Sequence, residues 1–88
     1  MPLSKFANIE RNLGILQRHV RGERTLREEA SAQGVRYQRI DQIIKSTTKQ
    51  LLKDLERDDV ARQDVLDYYR IDEEQLLMLI LEYKKKEL

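Results

Sequence analysis

The sequence predicts an all-α fold of five helices, and three observations carry that expectation. The only proline is Pro2 and there are three glycines in 88 residues, so almost nothing interrupts helices. Apolar residues recur at three- and four-residue steps along most of the chain, which puts them on one face of a helix. Capping patterns punctuate the chain at Thr25/Glu28 and Asp72/Gln75. A composition of 40% hydrophobic and 38% charged residues fits a helix-rich globule. The length allows one small domain, near the size where a single core is marginal.

The first helix is expected over about 4–21, capped by Ser4, with Phe6, Ile9, Leu13, Leu16 and Val20 inward. Gly14 within it costs up to ~1 kcal/mol relative to alanine and is expected to mark a close crossing with another helix. Gly22 ends the element. Arg11, Arg18 and Arg21, with Arg24 nearby, make a basic outer side, either solvated or touching phosphate.

Thr25–Lys45, TLREEASAQGVRYQRIDQIIK, is the stretch around which the chain is organised. A second helix over 25–33 begins at the Thr25/Glu28 capping box and carries Leu26 and the small Ala30 on one face. Gly34 follows, where the helix must stop and the chain can take a positive φ without steric cost. Val35 plugs the corner. A third helix over about 36–56 then buries Ile40, Ile43 and Ile44, and later Leu51, Leu52 and Leu55. Ser46, Thr47 and Thr48 are weak helix formers, so a bend is expected there. The opposite side carries Gln38, Asp41, Gln42, Lys45 and Lys49. Two short helices about a glycine turn make a helix-turn-helix pattern.

Through Leu26, Ala30, Gly34, Val35, Ile40 and the Gln42–Ile43 pair, this stretch resembles the helix-turn-helix of bacterial transcription factors. It is most similar to the fourth conserved region of sigma factors and to response-regulator output domains. The likeness covers about twenty residues closely and about 5–50 loosely. It departs from the family at Glu29 and Gln33, which are usually apolar, at Arg36, usually serine or threonine, and at Asp41, where many sigma-like domains are basic. The resemblance implies that the first helix supports the helix-turn-helix and that the third reads DNA.

A fourth helix is expected over about 59–69, starting at Asp58 and Asp59 and turning Ala61, Val65, Leu66 and Tyr69 inward. Asp72 caps a fifth helix over about 72–86, with Gln75 completing the box and Ile71 stapling onto Leu76. Leu76–Leu81 is six apolar residues in a row, which cover every side of a helix. In so small a protein that predicts a helix sandwiched between its own domain and a second chain. A homodimer is therefore expected through Leu76, Leu77, Leu79, Ile80 and Tyr83. Val65, Tyr69, Ile71, Leu76 and Leu79 also fit a second helix-turn-helix register, with Arg70 in the glycine position. The absent glycine and the bulky Leu66 at the usual alanine position predict instead a chance pairing of two capped helices. The chain thus divides into a DNA-binding part, 1–56, and a C-terminal helical hairpin for dimerisation, 57–88.

The net charge of +1 conceals an asymmetry. Residues 1–50 hold ten Lys/Arg and five Asp/Glu, giving +5, while residues 51–88 hold seven and eleven, giving −4. A basic half that contains the helix-turn-helix suggests that this part meets phosphate. If the third helix enters a major groove, Gln38 and Gln42 suit adenine and Arg39 suits guanine or phosphate. Arg36 and Tyr37 lead the helix, Asp41 can accept from a cytosine amino group, and Lys45 and Lys49 hold backbone. Thr25 and Arg24, at the start of the second helix, complete the expected DNA-binding set.

Other chemistries lack their residues. With no cysteine there is neither disulfide nor thiolate metal site. His19 is alone, no glycine-rich loop could cradle a nucleotide, and the acidic residues lack the alternation of a calcium loop. The expectation is a non-enzyme without cofactor or metal. No apolar run approaches a membrane span of about 20 residues, and the N-terminus lacks an apolar targeting core, so a cytoplasmic location is expected. Two functional classes follow. One is a sequence-specific DNA-binding transcription regulator, dimeric, of the kind found in phage, plasmids or as bacterial accessory factors. The other is a sigma-like module that binds RNA polymerase or a sigma factor without reading DNA.

Overall fold

The apolar rows of the chain close around its longest helix. The computed structural model describes residues 8–87, with side chains described through Lys84. It has five helices, α1 (Ile9–Val20), α2 (Leu26–Gln33), α3 (Tyr37–Leu55), α4 (Arg62–Tyr69) and α5 (Glu73–Glu87), and no strand among those residues. The four others all pack on α3, and α1 also meets α5.

One core joins all five. Leu13, Ile15, Leu16 and Val20 come from α1, Ala30 from α2, and Ile40, Ile43, Ile44 and Leu51 from α3. Val65, Leu66 and Tyr69 of α4, Ile71, and Leu76 and Leu79 of α5 complete it. A buried polar bond lies within it: the Tyr69 hydroxyl donates to Asp54 Oδ2 at 2.7 Å, linking α4 to the far end of α3. Burial first, and this bond second, push the Tyr69 phenol well above its ordinary range, so it stays a donor. On the other side, the imidazole of His19 on α1 hydrogen-bonds through Nε2 to Glu82 on α5 at 2.7 Å. His19 is therefore half-buried and structural.

Several boundaries differ from expectation. α1 starts at Ile9, because Asn8 is left-handed (φ 60) and cannot continue a helix; the Ser4 cap and Phe6 lie outside the described residues. A Cβ on Gly14 would meet the guanidinium of Arg18 on the same helix at 3.2 Å, not a neighbouring helix, so Gly14 marks no crossing. α3 runs unbroken through Ser46–Thr48. Thr47 is buried and its hydroxyl donates back to the Ile43 carbonyl at 2.7 Å, which satisfies it inside the helix. α4 starts at Arg62 rather than 59, since Asp59 takes a bidentate pair from Arg57 (3.0 and 2.7 Å) instead of capping a helix. Ala61, expected inward, is exposed.

The largest correction concerns the second register. Arg70 is left-handed (φ 59), its N–H donates to Asp67 O, and the Ile71 N–H donates to Leu66 O at 3.1 Å. The first turn has the same design: Gly34 is left-handed (φ 69), its N–H donates to Ser31 O, and the Val35 N–H donates to Ala30 O at 3.0 Å. Both are Schellman closures. Each joins an eight-residue helix to a longer one, and the landmarks Leu26/Arg62, Gln33/Tyr69, Gly34/Arg70 and Tyr37/Glu73 all stand 36 positions apart. The chain builds one backbone unit twice. Arginine substitutes for glycine in the second copy at a conformational cost of about 1–2 kcal/mol, and Leu66 fits where Ala30 stands because it is fully inside the core. No helix among the described residues is long and apolar enough to cross a membrane.

Candidate nucleic-acid interface

α2 is held at both ends and from below. The Glu28 N–H donates to Thr25 Oγ1 at 3.1 Å, and the Thr25 N–H donates back to the Glu28 carboxylate at 2.9 Å, closing the expected capping box. Below it lies Glu29, only 3% exposed although charged. Its carboxylate accepts from Arg18 Nε at 2.7 Å and Nη2 at 3.0 Å, from Arg24 Nη1 at 3.1 Å and from Gln33 Nε2 at 3.0 Å. The Arg18 hydrogen bond leads in holding the Glu29 carboxyl below its ordinary value. This network ties α1 to both ends of α2, and it explains why the two positions that depart most from the apolar pattern are Glu29 and Gln33.

α3 presents the opposite face. Ile40, Ile43 and Ile44 are buried, whereas Arg36, Tyr37, Gln38, Arg39, Gln42, Ser46 and Lys49 are exposed; Asp41 and Lys45 are half-buried at the edge. Gln38, Gln42, Lys45 and Lys49 follow four-, three- and four-residue steps and so form one stripe. The start of α3 also differs electrostatically from its counterparts. α2 and α5 place Glu28/Glu29 and Glu73/Glu74 in their first turns, while α3 has no acidic residue there and no side-chain cap. Arg36 and Arg39 add positive charge beside its partly positive N-terminus, so this end of the helix favours an approaching anion. No ion pair among the described residues takes up Arg36, Arg39, Lys45 or Lys49.

Two side chains belong with this face that pattern reading left out. The Arg27 guanidinium stands 5.4 Å from the centroid of the Tyr37 ring, a cation–π contact that fixes the leading end of α3 and adds a positive charge beside it. Its proximity to Thr25 was the available signal. Ser46, read as a weak helix former, is exposed on α3 one turn beyond Gln42. Arg24 lies near the site but shares its charge with Glu29, and Thr25 has its hydroxyl engaged in the cap.

α5 corrects the expected dimer set. Leu76 and Leu79 are each 1% exposed and belong to the chain's own core, while Ile80 and Tyr83 are half-buried. The exposed apolar side chains of α5 are Leu77, Met78 and Leu81, at 56%, 46% and 60%. Six successive apolar residues are thus shared between an inner row and an outer one. No group of three His, Cys, Asp or Glu that could hold a metal occurs among the described residues.

Fold and site together define an all-α domain with a helix-turn-helix connection and a polar, cationic outer face on its second helix. Compared with family models, curated proteins and solved structures, the chain returns no match.

Proposed function

We propose that the protein is a sequence-specific, double-stranded-DNA-binding transcription regulator, acting as a homodimer in the cytoplasm, with α3 as its reading helix. The observation that carries this reading is the polar stripe Gln38–Gln42–Lys45–Lys49, exposed except at the half-buried Lys45, on a helix whose other face is locked into the core. A major groove about 12 Å wide admits one such helix. Gln38 and Gln42 each offer a donor and an acceptor together, which matches the N6/N7 edge of adenine. Arg39 suits guanine or phosphate, Asp41 a cytosine amino group, and Lys45, Lys49, Arg36 and Arg27 the phosphates that set register. Thr25 and Arg24, at the start of α2, lie toward the backbone. In this reading α1–α3 form the DNA-binding part and α4–α5 the dimerisation part.

The test is fluorescence anisotropy with labelled duplex at low and physiological salt. Binding should weaken steeply with salt, because each phosphate contact releases condensed counterions, and Gln42→Ala should weaken binding to a selected site with helix content unchanged. Failure to bind at either salt would overturn the proposal. The outer face of α5, apolar with Glu73 and Glu74 at its start, favours a second reading: a module that docks on RNA polymerase or a sigma factor without reading DNA. Such an apolar contact would respond weakly to salt.

A further inference from the structure

The repeated unit offers a comparison within one molecule. Shifted by 36 positions, Gln38, Gln42, Lys45 and Lys49 of α3 correspond to Glu74, Met78, Leu81 and Lys85 of α5. At the first three of these positions a polar and cationic row is therefore replaced by an acidic and apolar one, while the fourth is lysine in both copies. A carboxylate and two apolar chains in those positions repel phosphate and favour protein.

The exposed residues of α5, among those whose side chains are described, are Glu73, Glu74, Leu77, Met78, Leu81 and Lys84. Positions 74, 77, 81 and 84 follow steps of three, four and three, the spacing of a seam along which two helices pack. The seam also reads as its own complement when reversed: acidic, apolar, apolar, basic. Turned antiparallel about its middle near Leu79, it sets Glu74 against Lys84 of a second copy and Leu77 against that copy's Leu81. A parallel arrangement would instead place Glu74 against Glu74 and Lys84 against Lys84. Glu73, next to Glu74 but outside the seam, is already engaged by Arg62 in a bidentate pair (2.8 and 2.8 Å).

We infer that the occupant of this face is a second copy of the chain, joined through an antiparallel α5–α5 seam with two symmetry-related Glu74–Lys84 pairs. This rests on the homodimer in the functional reading and gives it an orientation. A two-fold axis makes such a contact close on itself, so association stops at the dimer.

Sedimentation equilibrium of the full chain without DNA tests it. Glu74→Lys alone and Lys84→Glu alone should each weaken the dimer about tenfold, because each turns two attractive pairs into two repulsive ones. The double variant should recover most of that loss. An equimolar mixture of the two single variants should associate more tightly than either alone, since every cross-chain pair is then opposite in charge. A monomer at all concentrations would overturn the inference. So would a dimer indifferent to both single reversals, or one that the double variant weakens further. Circular dichroism separates unfolding from dissociation, since all these positions are exposed. DNA binding is read independently, so loss of the seam and loss of the groove-reading account are distinguishable.

Discussion

Replacing Glu29 removes the one carboxylate that organises the underside of α2, and its cost can be worked from the geometry. The group is 3% exposed and accepts four hydrogen bonds, three of them from guanidinium groups. Breaking a fully buried ion pair costs about 3–5 kcal/mol, most of it from the charge left behind. Here the side chains of Arg18 and Arg24 are 29% and 39% exposed and can be rehydrated, which lowers the expectation for Glu29→Ala to about 2–3 kcal/mol. In a domain of this size that is a fall in Tm of about 10–20 °C. Glu29→Gln keeps the volume and one acceptor but not the charge, and should cost about half as much. The folded-state carboxyl is depressed relative to the unfolded one. Its stabilisation is therefore fully present above the unfolded carboxylate value, about 4.3, and disappears as pH falls through the folded value. Urea denaturation of the wild type and Glu29→Gln from pH 7 to pH 2 is the assay, other carboxylates cancelling in the difference. A gap that stays constant across that range, or a Glu29→Ala cost under about 0.5 kcal/mol, would refute the assigned role.

Further outcomes follow from other residues. Gly34→Ala should destabilise by about 1 kcal/mol through backbone strain alone, since its φ is +69 and nothing lies within 4 Å of an added Cβ. Arg70→Gly should be neutral or stabilising by up to about 1 kcal/mol, relief of left-handed strain offsetting the greater freedom of the unfolded chain; thermal melts of the two variants check both. Tyr69→Phe should cost about 1–3 kcal/mol by taking the hydroxyl away from the buried Asp54, measured by chemical denaturation. Lys49→Ala should leave site preference intact while lowering the slope of log affinity against log salt by about one.

The fold was largely legible because helix-forming cues agree with one another at every scale. Capping boxes at Thr25/Glu28 and Asp72/Gln75, the glycine at 34 and the spacing of Ile40, Ile43 and Ile44 each act locally, and each is where the sequence places it. What stayed hidden depends on partners distant in sequence. Glu29 breaks the apolar pattern because Arg18, eleven residues earlier, waits beneath it. Arg70 can replace glycine because the surrounding packing imposes a turn that its own propensity opposes. Leu76 and Leu79 differ from Leu77 only in which side of α5 they face, and a run with no polar gap carries no phase. Most of the exposed face of α3 was legible from spacing, although Asp41 and Lys45 are half-buried and Ser46 was left out, whereas the Arg27–Tyr37 contact required knowing where α2 and α3 meet.

α3 is a single rod. Its nineteen residues contain no glycine or proline and run without interruption from Tyr37, beside the proposed reading stripe, to Leu55, next to the Asp54 that Tyr69 of α4 bonds. At 1.5 Å per residue it is about 28 Å long, and both copies of the repeated turn are fastened to it. If the proposed dimer is assembled from such bodies, α3 itself provides no joint by which its two proposed reading faces could change their separation or angle. Its operator would then be intolerant of spacing: one inserted base pair between half-sites rotates one against the other by about 35°, which a rigid pair cannot follow. Half-site spacing, more than the identity of any single base, is where such a protein would discriminate most sharply.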